Sequence, residues 1–283
     1  MSQHLLRDAP TLEAFIDWAV ATAGQPDPDR LLRLQAALDG GEPPAPARRE
    51  LEAIHAMPPV LSEEDLGHWD EYGWVTLHDA VTPDALSAAE MAIWNFVGAR
   101  PDDPDSWYVP NERGIMLQLF QHPAFEANRR SQRIHKAFAQ LWGTADLWPT
   151  TDRGGFNVPQ RPSWMFRGPH LHWDTSLALP IPFETQGLLY LTDTAANQGA
   201  FTCVPGFHRC IEDWLAALPA GADPREQDLQ ALGAVPIAGR AGDLIIWDSR
   251  LPHGSSPNNA QRPRIVQYIN MRPGNVSHHP VWR

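Results

Sequence analysis

Gly242-Asp243-Leu244-Ile245-Ile246-Trp247-Asp248-Ser249-Arg250-Leu251-Pro252-His253-Gly254-Ser255 decides how the second half of this chain is read. The run from Asp243 to Trp247 is short, apolar and rich in β-formers, so it predicts a buried strand. His253 sits just past it, directly before Gly254-Ser255. Working outward, similar short apolar runs separated by turn residues occupy 187–191, 199–204 and 264–271. Helical patterning in this half is confined to about 211–218. Several short strands with regular turns predict a β-sandwich or barrel.

The first half reads differently. Apolar residues recur at helical spacing over 12–20 and again over 29–38, through Leu31, Leu32, Leu34, Ala37 and Leu38. Gly40-Gly41-Glu42-Pro43-Pro44-Ala45-Pro46 breaks the pattern before a third helix over 48–56. Residues 1–60 carry no cluster that suggests chemistry and read as a packing or oligomerisation extension, with a second domain over 61–283. Ser62 N-caps a further helix, and Gly73-Trp74-Val75-Thr76-Leu77 reads as a strand. Thr82-Pro83-Asp84 starts a helix to about residue 97, and 125–142 reads as one amphipathic helix.

Bulk properties exclude several classes. The chain has 22 basic and 34 acidic residues, a formal charge of −12, which argues against nucleic acid and anionic membrane as partners. No stretch approaches the ~20 apolar residues of a membrane span, and residues 1–10 lack the apolar core of a secretory signal. Two cysteines, Cys203 and Cys210, form neither a disulfide framework nor a cysteine-based zinc site. A cytoplasmic location is the expectation.

The chemistry concentrates at Gly168-Pro169-His170-Leu171-His172-Trp173-Asp174-Thr175. His172 and Asp174 are two residues apart, and on a strand such side chains share a face. His170 shares it too, as an alternative imidazole or an outer partner, but His172 is nearer Asp174. Two histidines and one carboxylate on one face of a metal, with other positions open, is the donor set of non-haem Fe(II) oxygenases. His253 is the remote candidate for the second histidine. Alone, His-x-Asp also describes surface polar residues beside a Gly-Pro loop, and His253 a loop histidine. Arg264 follows His253 by eleven residues on a strand-like run. Inside a barrel its guanidinium needs a carboxylate partner; outside, it is a surface arginine beside Arg262.

Together these segments resemble the phytanoyl-CoA dioxygenase family of Fe(II)/2-oxoglutarate oxygenases. The matching pieces are His172-x-Asp174, Asn197-Gln198-Gly199 through Pro205-Gly206-x-His208, Gly242-Asp243 through His253-Gly254-Ser255, and Arg264, with an opening helix and strand over 61–77. The resemblance implies an α+β fold with a mainly β core, a double-stranded β-helix (jelly-roll, cupin-like) with flanking helices and an N-terminal helical extension. It implies Fe(II) held by His172, Asp174 and His253, Arg264 gripping the distal carboxylate of 2-oxoglutarate, and Ser255 beside it. Asn157 and Tyr190 fall near co-substrate positions, although Tyr190 reads equally as a core aromatic. The implied reaction consumes O2, releases succinate and CO2, and hydroxylates an unactivated C–H bond of a small-molecule substrate. Asp174 stands where halogenating relatives carry a small residue, which favours hydroxylation; desaturation and ring chemistry stay open.

One departure is Pro205-Gly206-Phe207-His208, where the family has serine in third place. This and the acidic charge weaken the case for a fatty acyl-CoA substrate. His208 reads as structural. Trp107, Tyr108, Arg113, Gln118, Arg161, Trp164, Arg167 and Trp173 are the candidate substrate contacts, with Arg161 and Arg167 pointing to an anionic group. The competing readings are a non-catalytic metal-binding jelly roll and a cupin-like metalloenzyme that does not use 2-oxoglutarate; Arg264 separates them, because neither needs a buried cation. Homo-oligomerisation through the N-terminal helices is a further expectation.

Overall fold

A computed structural model of the chain describes residues 8–108, 114–274 and 281–282, in two compact units, Met1–Ala56 and Met57–Arg283. The first contains α1 (Leu12–Ala23), α2 (Pro28–Leu38) and α3 (Ala45–Ala56). Thr11 and Asp27 cap the first two, accepting from the amides of Ala14 and Asp29 at 3.2 and 3.0 Å. The apolar stripe of α2 stays exposed at Leu31, Leu32, Leu34 and Leu38.

The second unit begins with α4 (Glu63–Tyr72), closed at its start by a reciprocal Ser62–Asp65 capping box and at its end by left-handed Gly73. β1 (Trp74–Leu77), α5 (Pro83–Val97), α6 (Pro123–Arg129) and α7 (Gln132–Trp142) follow. The single helix expected over 125–142 is two. The first ends at Arg129 with Arg130 as its C-cap, and Ser131 caps the second, its hydroxyl accepting from the Ile134 amide at 3.3 Å and donating to the Ala80 carbonyl at 2.8 Å. A serine that satisfies a helix start in this way breaks the periodicity without breaking the apolar pattern.

The rest is mainly antiparallel sheet: β2 (Trp148–Pro149), β3 (Gly154–Asn157), β4 (Thr185–Tyr190), β5 (Phe201–Cys203), the short α8 (Ile211–Ala217), β6 (Val235–Ile237), β7 (Leu244–Asp248), β8 (His253–Ser255), β9 (Arg264–Tyr268) and β10 (Met271–Arg272). A five-stranded sheet runs β1-β7-β4-β9-β3, a three-stranded sheet β6-β5-β8, and β10 pairs with β2. Alternation splits the five-stranded sheet into two faces. Leu188, Tyr190, Ile245, Trp247 and Val266 share one core with Phe201, Cys203 and Ile237 of the smaller sheet. The other face meets the helices: a Cβ on Gly154 would lie 3.0 Å from Ile93 and 3.1 Å from Phe125, and Gln267 exchanges hydrogen bonds with Asn128 and the Phe125 carbonyl. No helix among the described residues is long and apolar enough to cross a membrane.

Close packing explains the strand that sequence patterning does not reveal. β3 opens Gly154-Gly155, and a Cβ on Gly155 would come within 2.8 Å of Val266 on its neighbour. At Gly187, in the middle of the sheet, a Cβ would collide with the Ile269 carbonyl and press on Phe138. Gly187→Ala is therefore expected to cost about 1–3 kcal/mol of stability, measured by urea unfolding; an unchanged midpoint would contradict this packing.

Candidate metal centre and its cavity

Backbone pairing builds the site. His172 and His253 form an antiparallel bridge, each amide donating to the other's carbonyl at 2.9 and 3.0 Å. The Ser255 amide reaches the Pro169 carbonyl at 3.0 Å, so the arm 169–172 lies along β8. Gly254 permits this approach, because a Cβ there would stand 2.5 Å from the His170 carbonyl oxygen. Cross-strand partners point their side chains the same way, and the two imidazole rings lie 4.8 Å apart. Asp174, two residues on, joins them. Its Oδ1 is 3.4 Å from His172 Nε2 and its Oδ2 3.4 Å from His253 Nε2.

The tautomers follow from the partners. Nδ1–H of His172 donates to the His170 carbonyl at 2.7 Å, and Nδ1–H of His253 to the Leu251 carbonyl at 3.0 Å. Each neutral imidazole therefore turns an Nε2 lone pair toward the other and toward Asp174. The two imidazoles facing it, His172 first and then His253, hold the Asp174 carboxyl far below the usual carboxylate range, because a proton taken up on either Nε2 makes that ring a charged donor to the carboxylate. Burial pulls His172 down, but Asp174 and the His170 carbonyl outweigh it and leave its pKa raised. The centre thus calls for positive charge between these atoms, supplied by a proton or by a metal ion. His172, Asp174 and His253 offer donor atoms within 4.8 Å of one another and are the one such cluster among the described residues.

A cavity of about 140 Å³ opens on this triad. Its wall includes Leu188, Phe201, Trp247, Ser255, Tyr268, Met116 and Asn270. Gln186 links wall to triad: Trp247 Nε1 donates to Gln186 Oε1 at 3.1 Å, and Gln186 Nε2 donates to Asp174 Oδ2 at 2.7 Å. A second, polar cavity of about 120 Å³ shares Asp174 and Gln186 and is lined by Trp142, Thr150, Glu184, Thr185, Ser249, Asn270 and Arg272.

Behind Ser255 lies Arg264, fully buried. Its Nη1 donates to Ser255 Oγ at 3.1 Å, while Nε and Nη2 have no hydrogen-bond partner. Burial pushes the Tyr268 phenol up, partly opposed by the charge of Arg264. Asn157 is the cross-strand partner of Arg264; its Nδ2 donates to the Ser256 carbonyl at 3.2 Å, and its buried Oδ1 is unpartnered. Tyr190 is fully buried, its hydroxyl donating to the Ile237 carbonyl at 2.7 Å and accepting from the Phe201 amide at 2.9 Å, so it ties β4 to β5 and β6. An unpaired buried guanidinium is costly, and a carboxylate bound against it fits that want.

The expected substrate contacts are placed as follows. Trp107 and Trp173 are buried, with indole N–H groups given to the carbonyls of Arg100 and Arg250 at 2.8 and 2.9 Å. Arg161 stacks on Tyr108 and pairs with Asp105. Arg113 lies outside the described residues. None of Trp107, Tyr108, Gln118, Arg161, Trp164, Arg167 and Trp173 lines either of these two cavities. His170 is exposed and contributes its carbonyl, while His208 packs against Gly73. Gln186 was missed, yet it carries a signal: it is a polar residue on the core-facing parity of Leu188 and Tyr190.

A buried cation beside a triad of two histidines and an aspartate is the equipment of a non-haem iron oxygenase that takes a carboxylate co-substrate. The family model for phytanoyl-CoA dioxygenase (PhyH) matches residues 69–266. The chain belongs to that family and is an Fe(II)/2-oxoglutarate-dependent dioxygenase. It is 20% identical over 263 residues to a putative phytanoyl-CoA dioxygenase of Dictyostelium discoideum, covering 72% of this chain and 74% of that one. Its fold is similar to that of HygX from Streptomyces hygroscopicus, solved with nickel and 2-oxoglutarate, at TM-score 0.56 and 16% identity over 77% of this chain and 89% of that one. It is also similar to that of the epimerase SnoN, solved with Fe3+, alpha ketoglutarate and nogalamycin RO, at TM-score 0.57 and 15% identity over 77% and 86%.

Gln186→Leu removes the donor to Asp174 while keeping side-chain bulk. Iron affinity is expected to fall about 10–100-fold, read by anaerobic titration against a chromophoric chelator. Wild-type affinity would show that this link does not tune the centre.

Proposed function

We propose that this oxygenase hydroxylates an unactivated C–H bond of a small polar molecule, with iron held by Nε2 of His172, Nε2 of His253 and the carboxylate of Asp174. The observation that carries the reading is Arg264, a fully buried guanidinium with two unpartnered nitrogens beside the wall of the triad's cavity. In this reading it takes the distal carboxylate of 2-oxoglutarate, with Ser255 as its hydrogen-bonded companion and the Asn157 amide close by. Tyr190 holds the adjoining strands in place. A metal held there would activate O2, which is the oxidant: two of its four electrons would come from oxidative decarboxylation of 2-oxoglutarate to succinate and CO2, and two from the C–H bond, with one oxygen atom going to succinate and one to the product.

The protein's own part is orientation and exclusion of water. The two carbonyls behind the histidines fix their tautomers, Gln186 fixes the Asp174 carboxylate, and Phe201 and Trp247 give the cavity a dry wall. We assign the core to the double-stranded β-helix class, because two antiparallel sheets bury one shared apolar core and the triad lies where they meet. The carboxylate of Asp174 fills the position a halide would need, which favours hydroxylation. The polar cavity beside it suits the substrate, and its lining of Thr150, Ser249 and Asn270 does not suit an acyl chain. A metal-binding protein without 2-oxoglutarate would have no use for Arg264.

Anaerobic Fe(II) plus 2-oxoglutarate is expected to give the weak visible charge-transfer band of their chelate, and Asp174→Ala to abolish it. Arg264→Leu is expected to retain iron but to need at least about tenfold more 2-oxoglutarate for half-maximal band, as loss of a charged hydrogen-bonding partner implies. No band in the wild type would sink the reading, and unchanged 2-oxoglutarate dependence in Arg264→Leu would remove Arg264 from it.

A further inference from the structure

Asp174 rides on an arm that the smaller sheet holds through one bridge. Both the amide and the carbonyl of His172 turn toward β8. Beyond His172 the arm bends at Asp174 and Thr175, and no strand pairs with its other edge among the described residues. One side chain closes that edge. Arg225 Nη1 donates to the Trp173 carbonyl at 2.7 Å, and its Nη2 donates to the Thr175 carbonyl at 2.7 Å. These are the carbonyls of the two residues that flank Asp174.

Arg225 is itself fixed. It lies on the 3-10 turn Pro224–Glu226, and its amide donates to Asp223 Oδ1 at 2.8 Å. The ring of Trp282 covers the guanidinium, with its centroid 4.9 Å from Cζ. The Ser176 hydroxyl donates to the Val281 carbonyl at 2.7 Å, so the C-terminal segment grips the same arm. On the other side the Trp173 ring packs against Phe207 and Trp214. Neither Arg225 nor Trp282 lines either cavity.

We propose that Arg225 is a positioning residue for the metal centre: its planar guanidinium replaces a missing edge strand and sets where the Asp174 carboxylate stands. The proposal rests on the reading of Asp174 as a metal donor. A guanidinium suits the task because its planar fork reaches two fixed carbonyls from two nitrogens, whereas an ammonium carries its three donors on a single nitrogen with no fixed fork.

The test titrates Co(II) into the metal-free full-length protein and reads affinity and the visible d–d spectrum, with near-UV circular dichroism as the folding check. Arg225→Met is expected to fold, to bind Co(II) about tenfold or more weakly, and to shift the spectrum. Arg225→Lys is expected to recover only part of the affinity, and it carries the test if Arg225→Met does not fold. Wild-type affinity and spectrum in Arg225→Met, or in Arg225→Lys where that variant stands in, would overturn the proposal. Asp174→Ala separates the two claims: its failure to bind Co(II) keeps the metal reading, and wild-type binding would end that reading and the proposal with it.

Discussion

The site depends on two hydrogen bonds. His172 and His253 lie far apart in sequence, and the reciprocal amide–carbonyl pair between them brings their rings together with the same outlook. Parity then delivers Asp174, because the residue two positions on shares the face. A one-residue slip would turn both His172 and Asp174 away from the cavity. Gly254 guards that register, since any side chain there would meet the His170 carbonyl. Metal chemistry in this chain is thus a property of strand register first and of side-chain identity second.

Charge is the second constraint. A carboxylate between two imidazoles asks for a cation, and a buried guanidinium with unpartnered nitrogens asks for an anion. Leaving the buried guanidinium unmet costs several kcal/mol. In the proposed reading a metal ion answers the first demand and a dicarboxylate the second, which would tie the fold's stability to its cofactors. Arg264 carries this cost inside the core, where an apolar residue of similar size would pack at no such penalty.

Much of this was legible in the sequence because it rests on short-range rules. Caps at Ser62 and Thr82 and the apolar run of β7 announce their elements directly. Spacing alone put His172 with Asp174, and the order of His253, Ser255 and Arg264 gave the resemblance its specificity. What was hidden depends on contacts between distant residues. The Gly-Gly start of β3 has no strand propensity, and its glycines are explained by Val266 and Ile93. Trp173 sits between His172 and Asp174 in sequence but is turned into the core, buried and bonded to the Arg250 carbonyl. Arg225 lies in a turn some fifty residues from the arm it holds, and nothing local marks it.

The most direct test of the account is an anomalous-scattering map at the iron edge, from crystals grown anaerobically with Fe(II) and 2-oxoglutarate. The account predicts one peak bonded to Nε2 of His172, Nε2 of His253 and the carboxylate of Asp174, with the distal carboxylate of the co-substrate against Arg264. A peak ligated by other residues, or a co-substrate bound away from Arg264, would contradict it.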